Sequence, residues 1–284
     1  MSGEPDLSRM PLVAPYRIRP PTQRVGVSWR ELWEYRELLY FLVWRDLKVR
    51  YRQTVLGVAW AVIQPILTML VLSVIFGEIA GLSSDGVPYT LFTLCALLPW
   101  QLFSRALTTS AGSLVSSQAL LTKVYFPRLF IPLASILSGL PDFTAGFVVL
   151  LGMLLVYGIT PGLAILALPL FLVLNLMTGL GVGLWLAALN VQYRDVQQGV
   201  PFLAQLWFYI TPIAYAASLV PSWVRPWHGL NPMVGVVEGF RWALLGRSQA
   251  LDPALALGLV TAGLLLIGGL VYFQRMEDTF ADVV

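Results

Sequence analysis

The chain is poor in the residues that soluble catalysis and metal binding use. Its 284 residues include one cysteine, Cys95, and one histidine, His228, which excludes an intramolecular disulfide, a cysteine-rich metal site and a histidine-cluster metal centre. No glycine loop ending in Lys-Ser or Lys-Thr occurs, so nucleotide hydrolysis by this chain is not expected. Charged residues make up only 12% of the sequence, 18 Lys+Arg and 15 Asp+Glu, against roughly 25% in an ordinary soluble domain. That is too little polar surface to cover a soluble fold of this length. The first 40 residues are too charged for a secretory signal peptide, so the N-terminus is expected to be retained.

Apolar residues are in excess. They account for 57% of the chain, and the mean hydropathy is +0.75. At about 20 apolar residues per crossing helix, the length allows several spans and a modest amount of chain outside the bilayer. The fold class is therefore an all-α membrane protein, with no room for a large soluble catalytic domain.

Six long apolar runs lie at about 56 to 79, 88 to 110, 129 to 157, 162 to 189, 200 to 219 and 254 to 273. Arg45, Lys48, Arg50 and Arg52 precede the first; Lys123 and Arg128 lie between the second and third, with Arg105 at the edge; Arg194 lies between the fourth and fifth, and Arg275 follows the sixth. The alternate connections, 80 to 87 and 158 to 161, hold no Lys or Arg. By the positive-inside rule both termini are cytoplasmic, which requires an even number of spans. Of all the Lys and Arg residues only Arg225, Arg241 and Arg247 then fall outside, so the net charge of +3 reflects topology and gives no support for nucleic-acid binding.

Residues 1–27 read as a flexible cytoplasmic tail. A capping box, Ser28 with Glu31, opens an amphipathic helix in which Trp29, Leu32, Trp33, Tyr40, Val43 and Trp44 oppose Arg30, Glu31, Glu34 and Glu37. Because a span follows almost at once, this helix and the basic segment to residue 55 are expected at the membrane interface, although packing on a soluble partner gives the same pattern. Residues 56–275 form the six-span domain and 276–284 a second cytoplasmic tail. Between the fifth and sixth runs, Asn231 as N-cap, Pro232 at the first helical position and Gly246 past the end predict a helix of about 14 residues. That is too short to cross, so it lies either at the outer interface or as a re-entrant gate segment with Trp223 and Trp227. Within it Glu238 and Arg241 are spaced to pair as ordinary helix support.

Three constellations stand out. Asp142 follows Gly139 and Pro141 inside the third run, about 20 Å from its cytoplasmic end by helical rise. The Gly-Pro pair breaks the helix, and an acid in the first turn of the next half neutralises freed amides. With no basic partner evident in the neighbouring spans, this structural role outweighs proton relay. Trp60, Gln64 and Thr68 stack on one face of the first run, and the fifth carries Gln205, Trp207, Phe208, Tyr209 and Tyr215. Aromatic rings beside amides and hydroxyls suit a sugar chain, and they equally suit helix packing. The stretch from Gly112 to Arg128, including Leu120, Lys123, Tyr125, Phe126 and Pro127, is a second amphipathic segment, either a docking element for a soluble partner or a passive linker.

Arg45-Asp46-Leu47-Lys48-Val49-Arg50-Tyr51-Arg52 with Leu56-Gly57, Trp60 and Gln64-Pro65 resembles the N-terminal signature of the membrane subunits of polysaccharide-exporting ABC transporters, the O-antigen, capsular and teichoic-acid class. Lys123 to Arg128, Asn190 with Tyr193-Arg194-Asp195, and Asn231-Pro232 to Arg241 are similar to that family in the same order, so the resemblance covers about residues 30 to 275. It implies a homodimer of six-span subunits in the bacterial cytoplasmic (inner) membrane. Two copies of a separate cytoplasmic ATPase subunit would bind ATP and Mg, leaving no cofactor in this chain. The cargo would be an undecaprenyl-type lipid-linked polysaccharide passing through a central channel lined chiefly from spans one and five: Trp60, Gln64, Thr68, Gln205, Trp207, Tyr209 and Tyr215. The resemblance makes Leu120, Lys123, Tyr125, Phe126, Pro127 and Arg128 the ATPase-coupling segment, and Trp223, Trp227, Asn231, Pro232, Glu238 and Arg241 the outer gate. Arg45, Lys48, Arg50 and Arg52 are placed to attract membrane lipids and the carrier's pyrophosphate. A drug-exporting permease of the same architecture is the nearest competitor. An intramembrane lipid-modifying enzyme fits less well, since its chemistry needs clustered acids or an acid/base pair.

Overall fold

The computed structural model describes residues 33–52, 57, 59–121, 126–246 and 253–283. The capping box at Ser28 and Glu31, together with Lys123, Tyr125 and Arg247, lies outside them. Regular structure among the described residues is entirely helical. The order is α1 (Arg36–Tyr51), α2 (Ala59–Leu72) running on as a π-helix (Ser73–Ile79), α3 (Tyr89–Ser116), α4 (Gln118–Leu121), α5 (Phe130–Leu137) and α6 (Leu140–Val156). A 3₁₀ turn at Leu163–Ala167 leads into α7 (Leu168–Gln192), followed by α8 (Asp195–Ile210), α9 (Arg225–Gly229), α10 (Pro232–Leu245) and α11 (Pro253–Val283).

Among the described residues five stretches are long and apolar enough to cross a bilayer: Ala59–Ile79, Tyr89–Ser116, Phe130–Val156, Leu163–Gln192 and Leu255–Glu277. They account for the first, second, third, fourth and sixth expected runs. The fifth run, expected as one helix over 200 to 219, is helical only to Ile210. Pro212 explains the stop: a residue before proline is pushed out of the helical region, and Thr211 is extended at φ −89°, ψ 136°. The 16-residue α8 instead begins at Asp195, and the chain then folds back through α9 and α10.

α3 is the hub, touching α2, α5, α6, α7, α8 and α10, and every residue from Leu91 to Trp100 is buried. A helix apolar around its whole circumference has no solvent face to present, and this one is buried accordingly. Around it the backbones approach closely through small residues. A Cβ at Gly179 would meet Ala106 Cβ at 3.1 Å and one at Gly183 would meet Ser110 Cβ at 2.9 Å, so one face of α7 lies against α3. On the other face a Cβ at Gly181 would lie 2.7 Å from the Leu265 carbonyl carbon, and one at Gly269 only 2.3 Å from the Gly181 oxygen. Buried amides bridge the same helices: Asn175 Nδ2 donates to Pro99 O (2.7 Å) and Asn190 Nδ2 to Ala111 O (2.9 Å). Asn190 Oδ1 also accepts from Gln197 N (3.1 Å), satisfying an amide in the first turn of α8.

The third run breaks where Gly139 and Pro141 predict. α5 ends at Leu137, α6 starts at Leu140 with proline in its first turn, and Asp142 is the acid of that turn. α1 packs along α5 through Leu38, Leu39, Leu42 and Val43 while Tyr40, Phe41 and Trp44 stay exposed, the distribution an interfacial helix requires. The 14-residue outer helix is α10. The Asn231 side chain caps it and Gly246 ends it in the left-handed region at φ 64°. It is buried among α3, α7 and α11 rather than lying on the surface. α11 runs on to Val283, past the expected end of the last run, with Phe273 and Phe280 buried against the cluster around Phe126 and Phe130.

Candidate functional site

The end of α1, the first turn of α6 and the middle of α3 converge on one carboxylate. Arg50 Nη1 lies 2.9 Å from Asp142 Oδ2, and Arg105 Nη1 pairs with the same oxygen. Tyr51 Oη donates to Asp142 Oδ1. Arg50 also donates to Ser138 O and Ser138 Oγ, each at 3.0 Å, which fixes it to the α5–α6 break. Asp142 is thus not solitary: the structure sets it level with Arg50 and Tyr51 at the end of α1. Its partners come from 92 and 37 positions away in the chain, and the expectation that it lacked a basic partner is corrected. Gly139 gives Arg105 passage, since a Cβ there would sit 3.6 Å from Arg105 Cδ and 3.0 Å from Leu102 Cδ1. Burial pulls the Arg50 guanidinium down from its ordinary pKa, with the charge of Asp46 acting against that. Two guanidiniums facing one carboxylate leave one positive charge in excess.

That charge borders a cavity of about 520 Å³, in the range that ligand pockets occupy. Trp60, Gln64 and Thr68 line it from α2, as the stacking on one helical face predicts. Trp100, Gln101 and Thr108 line it from α3, and Phe208 from α8. Trp100 and Phe208 meet edge to face, ring centroids 5.6 Å apart. A wall of flat rings interleaved with amides and hydroxyls can stack on pyranose faces while bonding their hydroxyls.

The other residues of the fifth-run stripe point elsewhere. Trp207 packs edge-on against Phe103 (5.0 Å) and donates Nε1–H to Asn231 Oδ1 at 2.8 Å. Gln205 and Tyr209 are exposed. Tyr215 donates to Ile210 O (3.1 Å) and borders a separate hollow with Val224 and His228. Of the basic four, Arg50 turns inward, Arg45 bonds Asp46 (2.9 Å) and Ser117 Oγ (3.4 Å), and Lys48 and Arg52 are exposed.

At one end of the bundle Trp223 and Trp227 are exposed, whereas Asn231 and Arg241 are structural centres. Asn231 Oδ1 also accepts from Met233 N (3.1 Å), and its Nδ2 donates to Thr211 Oγ1 (3.0 Å), so one side chain starts α10 and holds the end of α8. Arg241 does more than pair with Glu238 (2.7 Å). Fully buried, it donates to Ile213 O (2.9 Å) and Phe92 O (3.3 Å), and its guanidinium lies 3.5 Å over the Phe92 ring. At the opposite end Leu120 and the buried Phe126 join the cluster around α5, and Arg128 donates to Glu277 O on α11. The amphipathic segment begins later than expected, because α3 continues through Gly112 to Ser116.

A family model described as ABC-2 type transporter matches residues 37–245. The chain is similar to the O-antigen export system permease protein RfbA of Myxococcus xanthus, 33% identical over 258 residues that cover 90% of this chain and 98% of that protein. It is also similar to the protein of the same name in Klebsiella pneumoniae, 29% identical over 253 residues covering 87% and 95%. The polysialic acid transport protein KpsM of Escherichia coli is 26% identical over 237 residues covering 82% and 91%.

Proposed function

Because the chain belongs to the ABC-2 type transporter family, we propose that it is the permease subunit of an ATP-driven exporter that moves a lipid-linked polysaccharide across the bacterial cytoplasmic membrane. The observation that carries this reading is the cavity, where Trp60, Gln64, Thr68, Trp100 and Gln101 meet the excess cation of the Arg50–Arg105–Asp142 group. Such a lining suits a sugar next to a phosphorylated headgroup, and it agrees with the roles of the relatives in O-antigen export and polysialic acid transport. A path for small hydrophobic drugs has less use for amides and hydroxyls.

In this reading two copies of the chain place their α2 and α8 faces around a shared channel, and both termini are cytoplasmic. α8, followed by the α9–α10 segment that returns outside the bilayer core, stands in for the fifth crossing. A separate ATPase subunit, in two copies, holds ATP and Mg. It acts on the segment around Leu120 and Phe126–Arg128, and the bond from Arg128 to Glu277 O supports passage of that movement to α11.

The test is complementation of a cell deleted for this permease, reading polymer at the cell surface by gel and antibody. Trp60→Ala with Gln64→Ala is expected to lower export at least tenfold at equal membrane level. The ATPase subunit and a lipid-linked glycan are expected to co-purify with the native chain in mild detergent. Full export by the double variant removes the cavity from the path, and drug efflux without polymer export replaces the reading by that of a drug exporter.

A further inference from the structure

Asp142 presents to Arg50, Arg105 and Tyr51 what an anionic ligand would present: two oxygens taking charge-assisted bonds from two guanidiniums and a phenol. The balance of charge is incomplete, since one carboxylate answers two cations. The guanidinium forks match phosphate oxygens as well as they match carboxylate, and a diphosphate brings more oxygens and more charge than Asp142 can. All three residues border the cavity that holds Trp60 and Gln64, so an anion bound there places its substituent against the sugar-compatible wall.

We propose that Arg50 and Arg105 form a diphosphate-binding site and that Asp142 is its built-in competitor, filling the site when the ligand is absent. This rests on the export reading for the source of the diphosphate, a lipid-carried sugar. The three side chains belong to the last turn of α1, the middle of α3 and the first turn of α6. A ligand that takes the two arginines therefore loosens the ionic hold of α6 on α1, the helix immediately before the first span. Binding of the headgroup and release of α1 become one event.

The experiment titrates the full-length permease, in phosphatidylcholine nanodiscs, with farnesyl diphosphate, inorganic pyrophosphate and farnesol, reading the tryptophan fluorescence to which Trp60 and Trp100 contribute. Wild type is expected to bind both diphosphates and not the alcohol. Arg50→Gln and Arg105→Gln should each weaken binding about tenfold or more, the scale of a lost charge-assisted bond. Asp142→Asn, which keeps the shape and removes the charge, should tighten it about tenfold. Thr261→Val, on α11 and away from the cavity, should bind as wild type. Tighter binding of farnesyl diphosphate than of pyrophosphate assigns the site to a lipid headgroup, and equal binding assigns it to free diphosphate. Arginine variants that bind as wild type overturn the proposal, as does a monodisperse Asp142→Asn that binds more weakly. Where Asp142→Asn does not yield monodisperse protein, Arg105→Lys decides: the retained charge without the fork must give intermediate affinity. Surface polymer is measured in parallel. Wild-type export with arginine-independent anion binding sinks the competitor idea alone, and diphosphate binding in a chain that exports no polymer sinks the export reading alone.

Discussion

Replacing Arg241 by methionine removes the donors that tie the outer segment to the rest of the chain while keeping much of the volume. Three contacts go at once: the 2.7 Å bond to Glu238, the 2.9 Å bond to Ile213 O and the 3.3 Å bond to Phe92 O, along with the cation over the Phe92 ring. The guanidinium is fully buried and Glu238 mostly so, so little solvent can take its place. Removing one member of a buried ion pair costs about 3–5 kcal/mol, most of it from the charge left behind. At about 2–4 °C per kcal/mol for a chain of this size, Arg241→Met should lower the unfolding temperature by roughly 10 °C. Changing Glu238 to glutamine in the same molecule removes the carboxylate charge that the guanidinium had balanced and should recover about half of that loss. The assay is thermal unfolding by intrinsic fluorescence in one detergent, with limited chymotrypsin proteolysis after Trp227 to report opening of the α9–α10 segment. A shift below about 2 °C for Arg241→Met, or no recovery in the double variant, would refute the view that this arginine holds α10 to α3 and the turn after α8.

Asn231→Ala should cost about 1–2 kcal/mol, seen as a lower unfolding temperature, because a helix cap and two side-chain ties vanish together; Asn231→Ser, which can still cap, should lose less. Gly181→Val and Gly269→Val should abolish monodisperse protein in size-exclusion runs, since each new side chain meets backbone, whereas Gly152→Ala, with open space around its Cβ position, should leave the elution unchanged. Burial lowers the His228 pKa, with the bond to Ile210 O and the charge of Glu238 pulling the other way, so the ring is neutral at pH 7. A histidine held below its unfolded value of about 6.5 contributes stability above that pH and loses it as the pH falls through the folded value. The unfolding temperature of wild type should therefore drop on acidification more than that of His228→Gln, and parallel curves would show that the ring does not titrate differently on folding.

The features legible in the sequence are those set by neighbours along the chain. The Asn-Pro start and glycine stop of α10 are local backbone chemistry, and so is the break that places Asp142 in a first turn. The end of α8 was also written locally, in Pro212, but the apolar run continues past it and periodicity alone carries a helix onward. The ionic group was out of reach because Arg50, Arg105 and Asp142 sit on three different helices, and nothing in a hydropathy pattern says which spans are neighbours. Trp207 shows a further limit. An aromatic stripe reveals that rings are present but leaves the rotation of the helix open, and the fold turned Trp207 onto Phe103 and Asn231 while Phe208 took the cavity wall.

The glycine contacts between α7 and its neighbours bear on where motion can occur. Where backbone rests on backbone, as at Gly181 and Gly269, no side-chain layer exists to shear, and sliding by even a fraction of an ångström meets steep repulsion. The α3, α7 and α11 trio is thereby a chassis. α2 and α8 abut it through side chains such as Met69, Leu72 and Phe208, which can change rotamers and yield. Relative movement within this chain is consequently easiest for α2 and α8, which bring Trp60 and Phe208 to the cavity, and hardest across the α7–α11 contact.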